Sequence, residues 1–261
     1  MRTTDMADEL FRSPETELPA GVRLATAKRG GVTVTRVEIT REGLARPRGR
    51  YVTLEMPSVS VLDERDTDVI ETGAAELRAL LPPEGPVLVL GIGNRRVTAD
   101  ALGPRTAQKI LVTMGPQHTL PVRGIRPVAA LAPGVSGDTG LTLRQLAAAM
   151  VDAVRPAALI CVDSLCSAEA ARLGRTIQFS DTGLHPADAR HARHLDAAAL
   201  GVPVIAAGIP TLMDADEGAD LVLTPRALDS VIAHGSALLA GILNRALQPR
   251  LSVAQLCWLT G

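Results

Sequence analysis

Several stretches of this chain are apolar almost without interruption: Val-Leu-Val-Leu at 87–90, Val-Ala-Ala-Leu-Ala at 128–132, Ala-Ala-Leu-Ile-Cys-Val at 157–162 and Val-Ile-Ala-Ala-Gly at 204–208. Short apolar runs bounded by glycine, proline or charge read as strands covered on both faces, the pattern of a parallel sheet. Two other stretches, Val-Thr-Val-Thr-Arg-Val-Glu-Ile at 32–39 and Tyr-Val-Thr-Leu-Glu-Met at 51–56, alternate apolar with polar residues and predict neighbouring half-buried strands; 176–179 predicts another. Between them the spacing turns helical. Residues 67–81 place Val69, Ile70, Ala74, Leu77 and Leu80 on one face before Pro82 and Pro83 end the helix. Residues 104–114 start on Pro104 and stop at Gly115, residues 143–154 end at Arg155 and Pro156, and residues 227–247 form a long final helix. Strand, glycine-rich exit and helix in alternation predict a doubly wound, mostly parallel α/β sheet flanked by helices. The residues before about 29 are mostly polar, with Pro14 and Pro19, and read as a frayed terminus.

Two of the buried strands hand over to an aspartate. The run at 87–90 breaks into Gly91 and Gly93 and delivers Asp100; the run at 157–162 leads directly into Asp163. Loops at the carboxyl edge of a parallel sheet are where ligands and reacting groups collect, because rigid strands hold variable loops there. Two carboxylates at neighbouring strand ends can share a proton, so that one serves as base and the other as acid and water is activated against an amide carbonyl. Asn94 could orient a carbonyl or bond its own turn. The loop at 180–186 brings Asp181 and His185 to the same edge; His185 with Asp100 and Asp163 would make a divalent-metal site the alternative. An aspartate after a strand is also a common helix cap. Gly91 and Gly93 lack the third glycine of a dinucleotide fingerprint, so the nucleotide reading is weak.

Composition narrows the classes. The 27 basic and 28 acidic residues nearly cancel, which removes bulk attraction to nucleic acid or anionic membranes, and 2% aromatic content weakens any case for base stacking. Three cysteines without metal or CxxC spacing fit a reducing cytoplasm, and the polar, acidic start is unlike a signal peptide.

Taken together, Gly-Ile-Gly-Asn at 91–94, Val-Thr-Ala-Asp-Ala-Leu-Gly-Pro at 97–104, Arg-Pro-Val at 126–128, Ala-Pro-Gly-Val-Ser-Gly at 132–137, Asp-Ser-Leu at 163–165, Ser-Asp-Thr-Gly-Leu-His-Pro at 180–186 and Gly-Ile-Pro-Thr at 208–211 with Asp214 resemble the germination protease family of spore-forming bacteria. The likeness extends to residues 34–39, 49–55 and 223–225, in order along most of the chain. It implies an atypical aspartic endopeptidase, without cofactor, that starts degradation of small acid-soluble, DNA-protecting proteins in the spore core or forespore cytoplasm. It further implies a homo-oligomer, a tetramer in the family, and two essential aspartates that match Asp100 and Asp163. Asn94, Asp181 and His185 would support the site. Members remove their own propeptide at a sequence like the substrate's; Arg-Thr-Thr-Asp-Met-Ala-Asp-Glu at 2–9 resembles it, with the cut beside Met6 and Ala7. The expected division is a short propeptide at 1–6 and one α/β peptidase domain at 7–261. The implied fold is related to the hydrogenase maturation endopeptidases, so a metal-dependent maturation peptidase is the enzymatic alternative, and a non-catalytic peptide- or nucleotide-binding domain the other. Between Asp214 and Leu223 this chain is shorter than the usual family member.

Overall fold

The computed structural model describes residues 4–12, 17–62, 66–115, 124–185, 194–215 and 221–260. In chain order the strands and helices are β1 (Val22–Arg29), β2 (Val32–Ile39), β3 (Gly49–Glu55), α1 (Thr67–Leu80), β4 (Val87–Gly91), α2 (Leu102–Ala107), β5 (Val128–Leu131), α3 (Ser136–Thr139), α4 (Leu143–Val154), β6 (Ala158–Cys166), β7 (Thr176–Ser180), α5 (Ala197–Leu200), β8 (Val204–Asp214), β9 (Val222–Leu223), α6 (Leu228–Leu247) and α7 (Val253–Thr260).

The strands form one sheet in the order β1-β2-β3-β7-β8-β6-β4-β5, with β9 paired to the end of β8. The α/β architecture is as the pattern predicts, and its parallel character is concentrated in the four-strand half β5-β4-β6-β8. From β8 outwards to β1 every pairing is antiparallel. From β4 the chain goes to β5 on one side and then returns to β6 on the other. The carboxyl ends of β4 and β6 therefore flank the point where the winding reverses, the place where open α/β sheets leave a crevice.

Alternation along the strands assigns the two faces. Val34, Leu54, Ile160, Val162, Ile177, Phe179, Ile205 and Ile209 join the core under α1 and α6. Leu88, Leu90, Leu159, Cys161 and Val204 form a second layer with Leu143 and Ala147 of α4. Thr142 caps α4 through a reciprocal pairing with Gln145, so the helix starts where the sequence places it. α6 has the length and apolarity of a membrane-spanning segment, but 67% of it is buried inside the protein, where it packs on α1 and α2.

Three elements depart from the sequence pattern. β1 occupies residues expected to fray: it is an edge strand paired on one side only and exposed along most of its length, so it carries no apolar alternation to reveal it. The helix expected at 104–114 is the shorter α2, because Asn244 of α6 takes over the chain beyond it: its Oδ1 accepts the Leu111 N–H at 2.8 Å and its Nδ2 donates to the Lys109 carbonyl at 3.0 Å. β8 runs on through Pro210 to Asp214, with a register shift against β6 at Leu165 and Cys166. A bulge is how a strand accommodates a proline without a ladder donor.

Candidate active site

Asp100 is placed by a turn that folds back over the end of β4. The Ile92 N–H donates to the Val162 carbonyl of β6 at 2.8 Å, and Gly93 then reverses the chain at a φ of +123°. A side chain at Gly93 would meet the Asp100 carbonyl at 2.1 Å, so glycine is required here twice over. The Asn94 N–H donates to Asp100 Oδ2 at 2.7 Å, while Asn94 Oδ1 accepts the Arg96 N–H at 2.9 Å. Of the two roles open to Asn94, its side chain closes the turn and its backbone aims the carboxylate. Behind Asp100, α2 comes directly onto the sheet: a methyl group on Gly103 would fall 2.3 Å from the carbonyls of both Ile92 and Val162. From the far side Thr211, at the β8 bulge, donates its hydroxyl to the Ala99 carbonyl at 3.0 Å. Thr211 is a positioning residue that the sequence marks only as part of the motif at 208–211, with no role attached; a proline one residue earlier in an apolar strand was the further signal.

Asp163 sits in β6 one residue beyond Val162, which pairs with Gly91, and opposite Gly208 of β8. It is only 5% exposed, and its Oδ1 accepts the Ser164 N–H at 2.8 Å. Asp100 is half-buried. The topology thus brings both acids to neighbouring parallel strands beside the reversal point, Asp100 in the turn beyond β4 and Asp163 just past the last pairing of β6 with β4; Asp163 is not the strand exit the sequence suggested, because β6 stays paired with β8 as far as Cys166. Cys161, two residues before Asp163, is fully buried; burial first, and the Asp163 charge second, push its thiol pKa up and leave it inert.

The other two candidates go elsewhere. Asp181 lies at the end of β7 and spends both oxygens on Arg50, Oδ1 accepting the Arg50 N–H and Oδ2 the Nε–H, each at 2.7 Å. His185 pairs through Nε2 with the Thr182 carbonyl at 2.9 Å and through Nδ1 with His194 Nδ1 at 3.3 Å. Among the described residues no group of three His, Cys, Asp or Glu side chains is arranged to hold a metal ion, so Asp100, Asp163 and His185 do not assemble into one. His191 lies outside the described residues.

The largest difference from expectation is the amino-terminal segment, which is docked rather than frayed. Met6, Ala7 and Asp8 are fully buried, and Ala7 and Phe11 pack with Val37, Ile39 and Tyr51 on the sheet face left open by α4. On that face Thr26, Thr35, Thr53, Gln178, Gly208 and Asp163 are successive partners across β1, β2, β3, β7, β8 and β6. This polar row receives the segment. Gln178 brackets it, its Oε1 accepting the Ala7 N–H at 2.8 Å and its Nε2 donating to the Asp5 carbonyl at 2.9 Å. Thr53 donates to Asp8 at 3.0 Å, and Arg12 reaches Thr35 at 3.0 Å. Asp8 is neutralised by Arg172 at 2.9 Å and Arg12 at 3.2 Å. The candidate processing residues Met6 and Ala7 therefore lie along the row that ends at Asp163. Residues 1–3 of the expected propeptide are outside the described set.

Comparison with known proteins follows the same lines. The chain is 32% identical over 278 aligned positions to the germination protease of Clostridium perfringens, covering 84% of this chain and 86% of that protein. It is 40% identical over 224 positions to the germination protease of Caldanaerobacter subterraneus, covering 80% and 67%, and 38% identical over 222 positions to that of Bacillus velezensis, covering 79% and 58%. Among solved structures, a nickel–iron hydrogenase maturation protease from Thermococcus kodakarensis superposes with a TM-score of 0.43 at 16% identity, over 66% of this chain and 98% of that one. The germination protease family profile matches residues 2–218, from the docked amino-terminal segment through both aspartates to the end of β8, and with relatives of this similarity the chain belongs to the germination protease family of peptidases.

Proposed function

We propose that this peptidase is an aspartate-dependent endopeptidase that begins the degradation of small acid-soluble, DNA-protecting spore proteins during germination, in the spore cytoplasm, and that it processes its own amino terminus beside Met6. What supports this reading is the placement of Asp100 just beyond β4 and of Asp163 in the neighbouring parallel strand β6, with the Asp5–Met6 peptide held by Gln178 in the same row as Asp163. In the reaction, one ionised carboxylate takes a proton from water as the oxygen attacks the peptide carbonyl. The other, protonated, gives its proton to the leaving amine as the C–N bond breaks, which regenerates the pair with roles exchanged. Asn94, Gly93 and Thr211 hold Asp100 where it can serve, and the β6 ladder holds Asp163.

The test is mass spectrometry of a small acid-soluble spore protein incubated with wild type, Asp100→Asn and Asp163→Asn, each with and without chelator. Cleavage is expected from wild type regardless of chelator, and a loss of about 10²–10⁴-fold in either variant, the usual scale of general acid–base assistance. Cleavage that survives both substitutions, or that vanishes on chelation, overturns the aspartate-pair mechanism. At mildly acidic pH the wild-type chain should develop a new amino terminus near Ala7; an unchanged mass in active protein would remove self-processing from the proposal.

A further inference from the structure

Buried hydroxyls in this protein find acceptors close by: Thr106 donates to the Leu102 carbonyl at 2.9 Å, Ser236 to that of Ala233 at 3.0 Å and Thr211 to that of Ala99 at 3.0 Å. Ser164 does not. Its Oγ is closed off from solvent and, among the described residues, is the one buried hydroxyl oxygen without a hydrogen-bond partner. Leaving a buried hydroxyl unanswered costs stability, so such a group calls for a reason. Its place in the fold supplies one. Ser164 follows Asp163 in β6 and pairs with Ile209 of β8, whose side chain belongs to the core under α6. Side chains alternate along a strand, so Ser164 stands on the α6 face while Asp163 stands on the face that receives the amino-terminal segment. Gly91, opposite Val162, is the last residue of β4 to pair with β6. Beyond that pairing the turn at 98–100, which carries Asp100, packs on β6, β8 and α6. Two contacts pin this stretch of chain: Ile92 donates to the Val162 carbonyl of β6, and Thr211 of β8 donates to Ala99. Ser164 lies between them, two residues past Val162 along β6 and across the strand pair from Ile209 and Thr211.

From this placement we propose that Ser164 is a positioning residue for peptide cleavage: its hydroxyl donates to the Asp100 carboxylate when the 98–100 turn settles into its reacting position with Asp100 ionised as the base. The proposal rests on the reading above that Asp100 and Asp163 cleave a peptide bond. The hydroxyl touches neither the peptide nor the attacking water; it acts through Asp100. A charge-assisted bond made only in the reacting arrangement lowers the barrier without tightening substrate binding. Stability given up in the free protein and rate gained in the reacting complex then have one origin.

The experiment compares full-length wild type, Ser164→Ala and Thr211→Val, first by thermal unfolding and then by cleavage of the labelled peptide Thr-Thr-Asp-Met-Ala-Asp-Glu-Leu-Phe. Alanine removes an oxygen that has no partner in the free protein, so Ser164→Ala should raise the unfolding midpoint by about 2–4 °C. Thr211→Val removes a bond already made and should lower it. In cleavage, Ser164→Ala should lose about tenfold in kcat with KM unchanged within about twofold, the scale of one hydrogen bond to a charged group. On the Asp100→Asn background the same substitution should cost less than about twofold, because the group it acts through is already altered. A lowered midpoint for Ser164→Ala shows a hydroxyl paired in the free protein and overturns the proposal. So does a raised midpoint with unchanged kcat, or a loss of about tenfold that persists on the Asp100→Asn background. In each of these cases wild type still cleaves, and the peptidase reading stands. Wild type that leaves both the peptide and a small acid-soluble spore protein intact overturns the peptidase reading and the role of Ser164 with it.

Discussion

At the scale of single residues, environment decides which chemically similar groups can react. Three cysteines are present, and the structure separates them: Cys161 and Cys166 are buried, whereas Cys257 on α7 is partly exposed. Burial pushes the Cys166 thiol up to about 12, with the neighbouring Asp5 charge adding to the effect. Because the thiolate is the reactive form, a chromogenic disulfide reagent at pH 8 should titrate Cys257 rapidly and the other two only after denaturation. Rapid modification of Cys166 in the native protein would show that the docked segment leaves β6 exposed. The same contrast separates the aspartates. Asp181 follows β7 and its carboxylate is committed to Arg50, whereas Asp163 lies inside β6, in the row that receives the amino-terminal segment. Asp181→Asn is therefore expected to reduce peptide cleavage far less than Asp163→Asn, which parallel kcat/KM measurements would check.

At the scale of elements, the site depends on how closely α2 approaches the end of β4 and the middle of β6. Gly103 is in contact with the backbone of both strands, and the atoms a methyl group would strike are carbonyl oxygens that cannot swing aside. Gly103→Ala should cost on the order of 2–4 kcal/mol in unfolding free energy, in the range of severe overpacking. It should also lower cleavage by moving the turn that carries Asp100, which chemical denaturation and kinetics on the same preparation would separate. That approach was legible in part: Gly91, Gly93 and the handover to Asp100 announce a tight strand exit. The docking of residues 4–12 was not legible, because its apolar content is only Met6, Ala7, Leu10 and Phe11 among acids, and those acids look solvated until Arg46, Arg172 and Gln178 are brought to them from distant parts of the chain.

At the scale of the whole molecule, the docked segment and the sheet form one unit whose stability should depend on alkaline pH. Tyr51, buried under the segment and donating to the Pro47 carbonyl at 2.8 Å, has its pKa pushed up to about 12, chiefly by burial. The folded state thus keeps a proton that the unfolded chain releases near pH 10. The resulting stabilisation is fully present below about pH 10 and is lost as pH rises through about 12. Cys166 acts in the same direction from a lower starting value. Tyr51→Phe should flatten the alkaline decline by an amount on the order of 2 kcal/mol, read from denaturation curves between pH 9 and 12. An unchanged pH dependence would mean that the phenol ionises without leaving its site.

The sequence alone determined the α/β class and most of the strands and helices of the core, and it marked Asp100 and Asp163 as the acids that follow buried apolar runs. These follow from short-range information: buried strands must be apolar, helices must repeat their apolar face, and a glycine break before an acid marks a strand exit. Only the tertiary structure decided that the sheet is parallel in one half and antiparallel in the other, that β1 exists at its edge, and that the amino terminus lies along a polar row ending at Asp163. Those features are held by ladder hydrogen bonds and by ion pairs between residues far apart in the chain. Their partners are fixed by neighbours in space, which no local pattern of hydrophobic and polar positions encodes.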